Sequence, residues 1–181
     1  MSTVTRTDII SFWRDAGPDK WWEKNEDFDQ EIRSKFLATH EAAARGELAS
    51  FEGSADGALA LVLLFDQFPR NMFRDSARAF ATDAQARAAA SRAIACGFDQ
   101  ETEEALRKFF YMPFMHSEFL ADQDRCVQLF SALDDPEQGE YATIHRDIIA
   151  KFGRFPHRNR TLGRETTAAE QDFLDGGGFA G

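Results

Sequence analysis

The stretch "SADGALALVLLFDQFPRN", residues 54–71, decides how the chain folds. Ser54 can cap a helix that carries the unbroken apolar block Ala58–Phe65. That block is eight residues long, far too short to cross a bilayer. Pro69 predicts an end to the helix near Phe68, because the residue before a proline is pushed out of the α region. Phe65 and Phe68 would then bury their rings at the helix exit, and Arg70, Asn71 and Arg74 would follow on a stiff, anchored turn. The same arrangement recurs at "FGRFPHRN", residues 152–159, where Phe152, Phe155 and Pro156 lead into His157, Arg158, Asn159 and Arg160.

Working outward, helical periodicity dominates and no stretch alternates as a strand would. A first helix is expected from about Thr7 to Ala16, stopped by Gly17-Pro18, with Trp21 and Trp22 in a connecting segment. A long helix should run from about Asn25 to Arg45, with Phe28, Ile32 and Phe36 on one face. Thr82 and Gln85 form a candidate capping box for a helix reaching Cys96. Asp99 can cap the next helix, through Tyr111 to a stop at Pro113. Ser117 can cap the one carrying Val127, Phe130 and Leu133, before the loop "DDPEQG". Tyr141, Ile144, Ile148 and Phe152 mark an amphipathic helix closed by Gly153, and Thr167 with Glu170 suggests a last short helix. The expectation is an all-α fold of about eight helices stacked as hairpins, in a compact bundle or a curved array. One domain over 1–175 and a flexible Gly-rich tail over 176–181 complete it.

Composition agrees with a folded chain: of 181 residues, 43% are hydrophobic and 29% charged. The 18 Phe against 2 Tyr predict a core of aromatic knobs. The N-terminus shows no basic stretch leading into an apolar one, and Cys96 and Cys126 have neither metal nor redox spacing, so a cytoplasmic protein with reduced thiols is expected. Net charge is −10, yet His145–Arg164 holds six basic residues against one acid, Asp147. Bulk acidity disfavours nucleic acid and anionic membranes, whereas this local reversal would attract a compact anion.

The groups after the two elbows are therefore candidates for binding. Guanidinium forks fit carboxylate or phosphate, and rigid placement limits the entropy lost on binding. The structural alternative is that they hold helix-end carbonyls and pair with Asp66, Asp75 or Glu118. His145 lies between Ile144 and Ile148 on an inward stripe, where it would serve as a core histidine, a general base or an anion ligand. His40 reads as structural. "YMPFMHSEF" places His116, Ser117 and Glu118 just past Pro113, with no metal-ligand spacing between His116 and Glu118. Glu118 would orient a histidine or pin an arginine. No cofactor and no metal is expected.

At "LLFDQFPRNMFR", "AFATDAQA", "YMPFMHSE" and "FGRFPHRNRTLGRETTAAEQDFL" the chain resembles the bacterial family catalogued as domain of unknown function 924. With Trp21-Trp22, the likeness spans nearly the whole length. It implies an all-α fold of the tetratricopeptide-like, stacked-hairpin type and supplies no activity. The family's motif positions fall on Asp66, Gln67, Arg70, Asn71, Arg74, His116, Glu118, Gly153, Arg154, His157, Arg158, Asn159 and Arg164. The resulting expectation is one pocket lined by Arg70, Asn71, Arg74, His116, Glu118, Arg154, His157, Arg158, Asn159 and Arg164. It would bind a small phosphorylated or carboxylated metabolite or an acidic peptide end. Two alternatives stand beside it: a tetratricopeptide-like interaction module, and a hydrolase-type enzyme with His145 or His157 as base and Glu118 orienting it.

Overall fold

The computed structural model describes residues 4–179. Those residues form α1 (Arg6–Trp22), α2 (Glu26–Ala44), α3 (Ala55–Val62), a π-helical segment Leu63–Gln67, α4 (Phe68–Met72), α5 (Asp83–Ala95), α6 (Phe98–Glu101), α7 (Glu104–Arg107), α8 (Met112–Met115), α9 (Leu120–Ser131), α10 (Pro136–Phe152) and α11 (Ala168–Asp175). Short 3-10 turns lie between them, and the described residues contain no strand. The fold is all-α. No helix among them is long and apolar enough to cross a membrane. The chain gathers into two compact units: one holds the residues up to Arg74 and Arg78–Pro113, the other Asp75–Ala77 and the chain from Phe114 onward.

In the first unit, aromatic rings make the core. Trp13, Phe68 and Phe109 are fully buried, and Phe68 lies 4.9 Å from Phe36 and 5.6 Å from Trp13, centroid to centroid. The apolar block of α3 packs where the sequence placed it, with Leu59 to Leu64 almost without exposure. Gly57 permits the close approach of the turn Ala49–Gly53: a Cβ there would lie 2.0 Å from the Phe51 carbonyl oxygen. Ser54 caps α3, accepting from the Gly57 N–H at 3.2 Å.

Several local expectations give way to tertiary partners. α1 breaks at Gly17 as expected, the residue being non-helical at φ 70°, but a second helical piece continues from Pro18 to Trp22 where a connecting segment was expected. Trp21 thus returns its Nε1–H to the Trp13 carbonyl at 2.7 Å. Thr82 does not cap α5; its hydroxyl donates to the Phe65 carbonyl, and Gln85 donates to the Ala44 carbonyl. The expected helix from Asp99 to Tyr111 is broken into α6, α7 and a 3-10 turn, and Asp99 is buried as the acceptor of the Tyr111 hydroxyl at 2.7 Å. Pro113 lies inside the short α8 rather than stopping a helix.

In the second unit, α9 packs on α10. Ser117 is not the N-cap of α9, whose first residue is Leu120; its hydroxyl donates to Asp122 instead. α10 begins at Pro136, capped by Asp135, so it absorbs most of the segment read as a loop. Gly153 closes it at φ 69°, and Thr167 with Glu170 forms the expected capping box on α11. Ile148, Ile149 and Phe155 form a small core, against which Phe152, Phe173 and Phe179 pack. The expected tail thus includes Phe179 in a packed position, while its last two residues lie outside the described ones.

Candidate functional site

The first aromatic-proline stretch is not a helix exit. Phe68 is α-helical (φ −60°, ψ −40°) and the helix runs through Pro69 to Met72. Pro69 has no N–H to donate, and the chain accommodates it by widening into the π segment, in which the Phe68 N–H reaches back to the Leu63 carbonyl. Three successive carbonyls of that segment accept from side chains: Leu64 from His40 Nδ1 at 2.8 Å, Phe65 from Thr82 at 2.7 Å, and Asp66 from Arg70 at 2.8 Å. Because a carbonyl only accepts, His40 carries its proton on Nδ1, a structural role.

The polar residues that follow are fully committed within this unit. Arg70 forks onto Asp83 at 3.0 and 3.2 Å and lies 3.1 Å from the buried carboxylate of Asp66. Asn71 donates to Asp29 at 2.7 Å, and Arg74 binds the same carboxylate through Nε and Nη2. Of these pairs, Arg70 with Asp66 is the one the structural alternative named.

The second stretch does leave its helix. After Gly153, Phe155 is extended, and Pro156 starts a 3-10 turn, Pro156–Arg158. Glu118 accepts from the Phe155 N–H at 2.9 Å and takes both arms of Arg164 at 2.8 and 3.0 Å. Burial alone would raise the Glu118 carboxyl, but Arg164 and the Phe155 N–H outweigh it and hold the group below its ordinary range. Glu118 therefore pins an arginine. Arg154 and Asn159 both donate to Glu170, whose carboxyl the Arg154 bond holds at about 2 against burial and with help from Thr167.

What remains between these locks is a group of histidines. The Phe155 ring lies 5.5 Å from both His145 and His157, and Phe179 lies 4.5 Å from the first and 5.4 Å from the second. Arg158 is buried beside them, its guanidinium 4.5 Å over Phe155 and one arm donating to the His116 carbonyl at 3.0 Å. Burial pushes His145 down to about 4 despite the Tyr141 carbonyl bond, with His116 and Arg158 adding repulsion. Burial also pushes His157 down to about 4, followed by Arg158 and His145 and opposed by Glu118. His145 donates from Nδ1 to the Tyr141 carbonyl at 2.7 Å, which leaves Nε2 as its free face. The Nδ1 atom of His157 is buried and has no protein partner. Among the described residues no group of three or more His, Cys, Asp or Glu is arranged to hold a metal ion.

A family model described as bacterial protein of unknown function (DUF924) matches residues 9–178. The chain belongs to that family. A DUF924 chain can thus be set beside a solved structure of a protein of unknown function from Agrobacterium tumefaciens, to which it is 48% identical. The match covers 94% of this chain and 97% of that one, with a TM-score of 0.92. Among curated proteins nothing matches.

Of the motif residues the DUF924 resemblance singled out, those at the first proline lie in one compact unit, and those from His116 onward in the other. Sequence reasoning missed Asp29, Asp83 and Glu170 as the partners of Arg74, Arg70 and Arg154, and Phe179 as a neighbour of two histidines. A phenylalanine standing alone after three glycines was the one available signal for the last.

Proposed function

We propose that the second unit binds a small anion at the imidazoles of His145 and His157, with the charge of Arg158 behind them. The observation that carries this is His157 Nδ1, a buried polar atom with no protein partner, beside arginines Arg154 and Arg164 that each fork onto a carboxylate. A buried imidazole next to a guanidinium is neutral by default and gains a proton when a negative group arrives, so anion and proton bind together. Arg154 and Arg164 act as scaffold around these imidazoles, with Arg158 supplying field rather than a free fork.

A hydrolase with Glu118 orienting a histidine is less well supported, because that carboxylate is spent on Arg164 and the Phe155 N–H. A tetratricopeptide-like module would favour peptide ends over free small anions. Calorimetric titration of acetate and inorganic phosphate at pH 6 and pH 8, with wild type and His157→Gln, tests the proposal. The expected result is tighter binding at pH 6, proton uptake on binding, and a loss of about tenfold or more in the variant, equal to about 1.4 kcal/mol. Absence of saturable binding at both pH values would overturn it.

A further inference from the structure

Beyond α11 the chain reverses on three glycines. Gly177 is left-handed at φ 80°, and its N–H donates to the Leu174 carbonyl at 3.2 Å, while the Gly178 N–H donates to the Phe173 carbonyl at 2.9 Å. A Cβ on Gly178 would lie 2.5 Å from both the ring and the carbonyl oxygen of Phe173, so only glycine lets the tail fold back this closely. The reversal delivers the Phe179 ring onto His145 and His157. Phe179 also lines a groove of about 260 Å³ together with Ile144, Asp147, Ile148, Phe152 and Phe173. Lys151 stands at this groove with its ammonium 4.8 Å from the Phe152 ring centre.

Phe179 thus touches both this groove and the imidazole pair, its ring packed against the small core of Ile148, Ile149 and Phe155 and its backbone preceded by the two glycine bonds. We infer that Phe179 occupies the seat of the ligand's apolar part, and that the ligand is a carboxylate joined to an aromatic ring or a short alkyl chain. This rests on the anion reading above. The carboxylate would meet His157 Nδ1 and His145, and the ring or chain would take the place of Phe179 and extend into the groove. A monoanion is what a site gaining one imidazole proton balances; Arg158 already serves the His116 carbonyl and the Phe155 face.

The test is a calorimetric titration of acetate, benzoate, hexanoate and neutral benzyl alcohol against wild type, Phe179→Ala, Gly178→Val and His157→Gln. Thermal melts confirm that each variant folds. Benzoate and hexanoate are expected to bind about tenfold or more tighter than acetate, because they bury additional apolar surface. Removing the ring in Phe179→Ala, or unseating the tail in Gly178→Val, should widen the acetate-to-benzoate ratio further, and His157→Gln should weaken all three carboxylates. Acetate binding as tightly as benzoate would overturn the apolar seat and leave the anion reading intact. A ratio that narrows in both Phe179→Ala and Gly178→Val would overturn displacement, since the ring would then be part of the ligand's seat. Benzyl alcohol binding as well as benzoate would overturn the carboxylate, and no carboxylate binding at all would remove both readings.

Discussion

Phe68-Pro69 and Phe155-Pro156 look alike in sequence and are opposite in structure. The first proline sits inside a helix, and the polar groups around it are spent on the carbonyls of its π segment and on Asp29 and Asp83. The second follows a glycine-closed helix end, starts a new turn, and carries a histidine whose Nδ1 has no protein partner. A proline in a helix removes a donor and must be compensated by neighbours, which leaves nothing for a ligand. A proline at the first position of a turn removes a donor that would have been orphaned anyway. The surplus polar capacity lies where the backbone needed no repair.

If the first stretch is a lock, breaking it should be the most damaging change. Arg70→Met removes the guanidinium from the Asp66 carboxylate, which has no exposure, and should cost about 3 kcal/mol or more in urea unfolding at pH 7. A cost below about 1 kcal/mol would place this pair among the weak surface bridges. Thr82→Val orphans the Phe65 carbonyl and should cost about 1–3 kcal/mol. Adding Pro69→Ala restores a backbone N–H beside that carbonyl, so the double variant should recover part of the loss, and strict additivity would show that the proline does not cause the π widening.

The second stretch should respond to pH. Glu118 and Glu170 have folded-state values below the ordinary carboxylate range, so the stability they confer is present above about pH 4.5 and is lost as pH falls toward the folded values, about 2 for Glu170. His145 and His157 are depressed to about 4, so the unfolded chain binds more protons between pH 4 and 6.5, and stability rises with pH across that window. Denaturation midpoints at half-unit pH steps should show this slope, and His157→Gln should flatten it. The smallest effect expected is that of the same variant at pH 8, about 0.5 kcal/mol or less, because the neutral ring makes no hydrogen bond at Nδ1.

The elements legible in the sequence were those set by neighbouring residues: the Ser54 cap, the apolar run of α3, the Gly153 stop and the Thr167–Glu170 box. The continuation through Pro69 was not, because its repair comes from His40 and Thr82, 24 and 17 residues from the carbonyls they serve. Thr82 shows the cost of local reasoning, its hydroxyl being drawn from a capping role to a distant carbonyl. The segment from His145 to Arg164 stood out by its charge reversal. Which of its members were already engaged was not legible, since Glu118 lies 46 residues from Arg164 and Glu170 lies 16 from Arg154. The position of Phe179 depends on a fit between Gly178 and Phe173 that no periodicity encodes.

The most direct test is an NMR titration of the imidazole nitrogens of His145 and His157, with and without acetate. The expected result is that both rings remain neutral at pH 5 in the free protein, and that the anion moves the protonation of His157 upward by more than one pH unit. A His157 ring that titrates near its ordinary value of about 6.5, unmoved by acetate, would contradict the account.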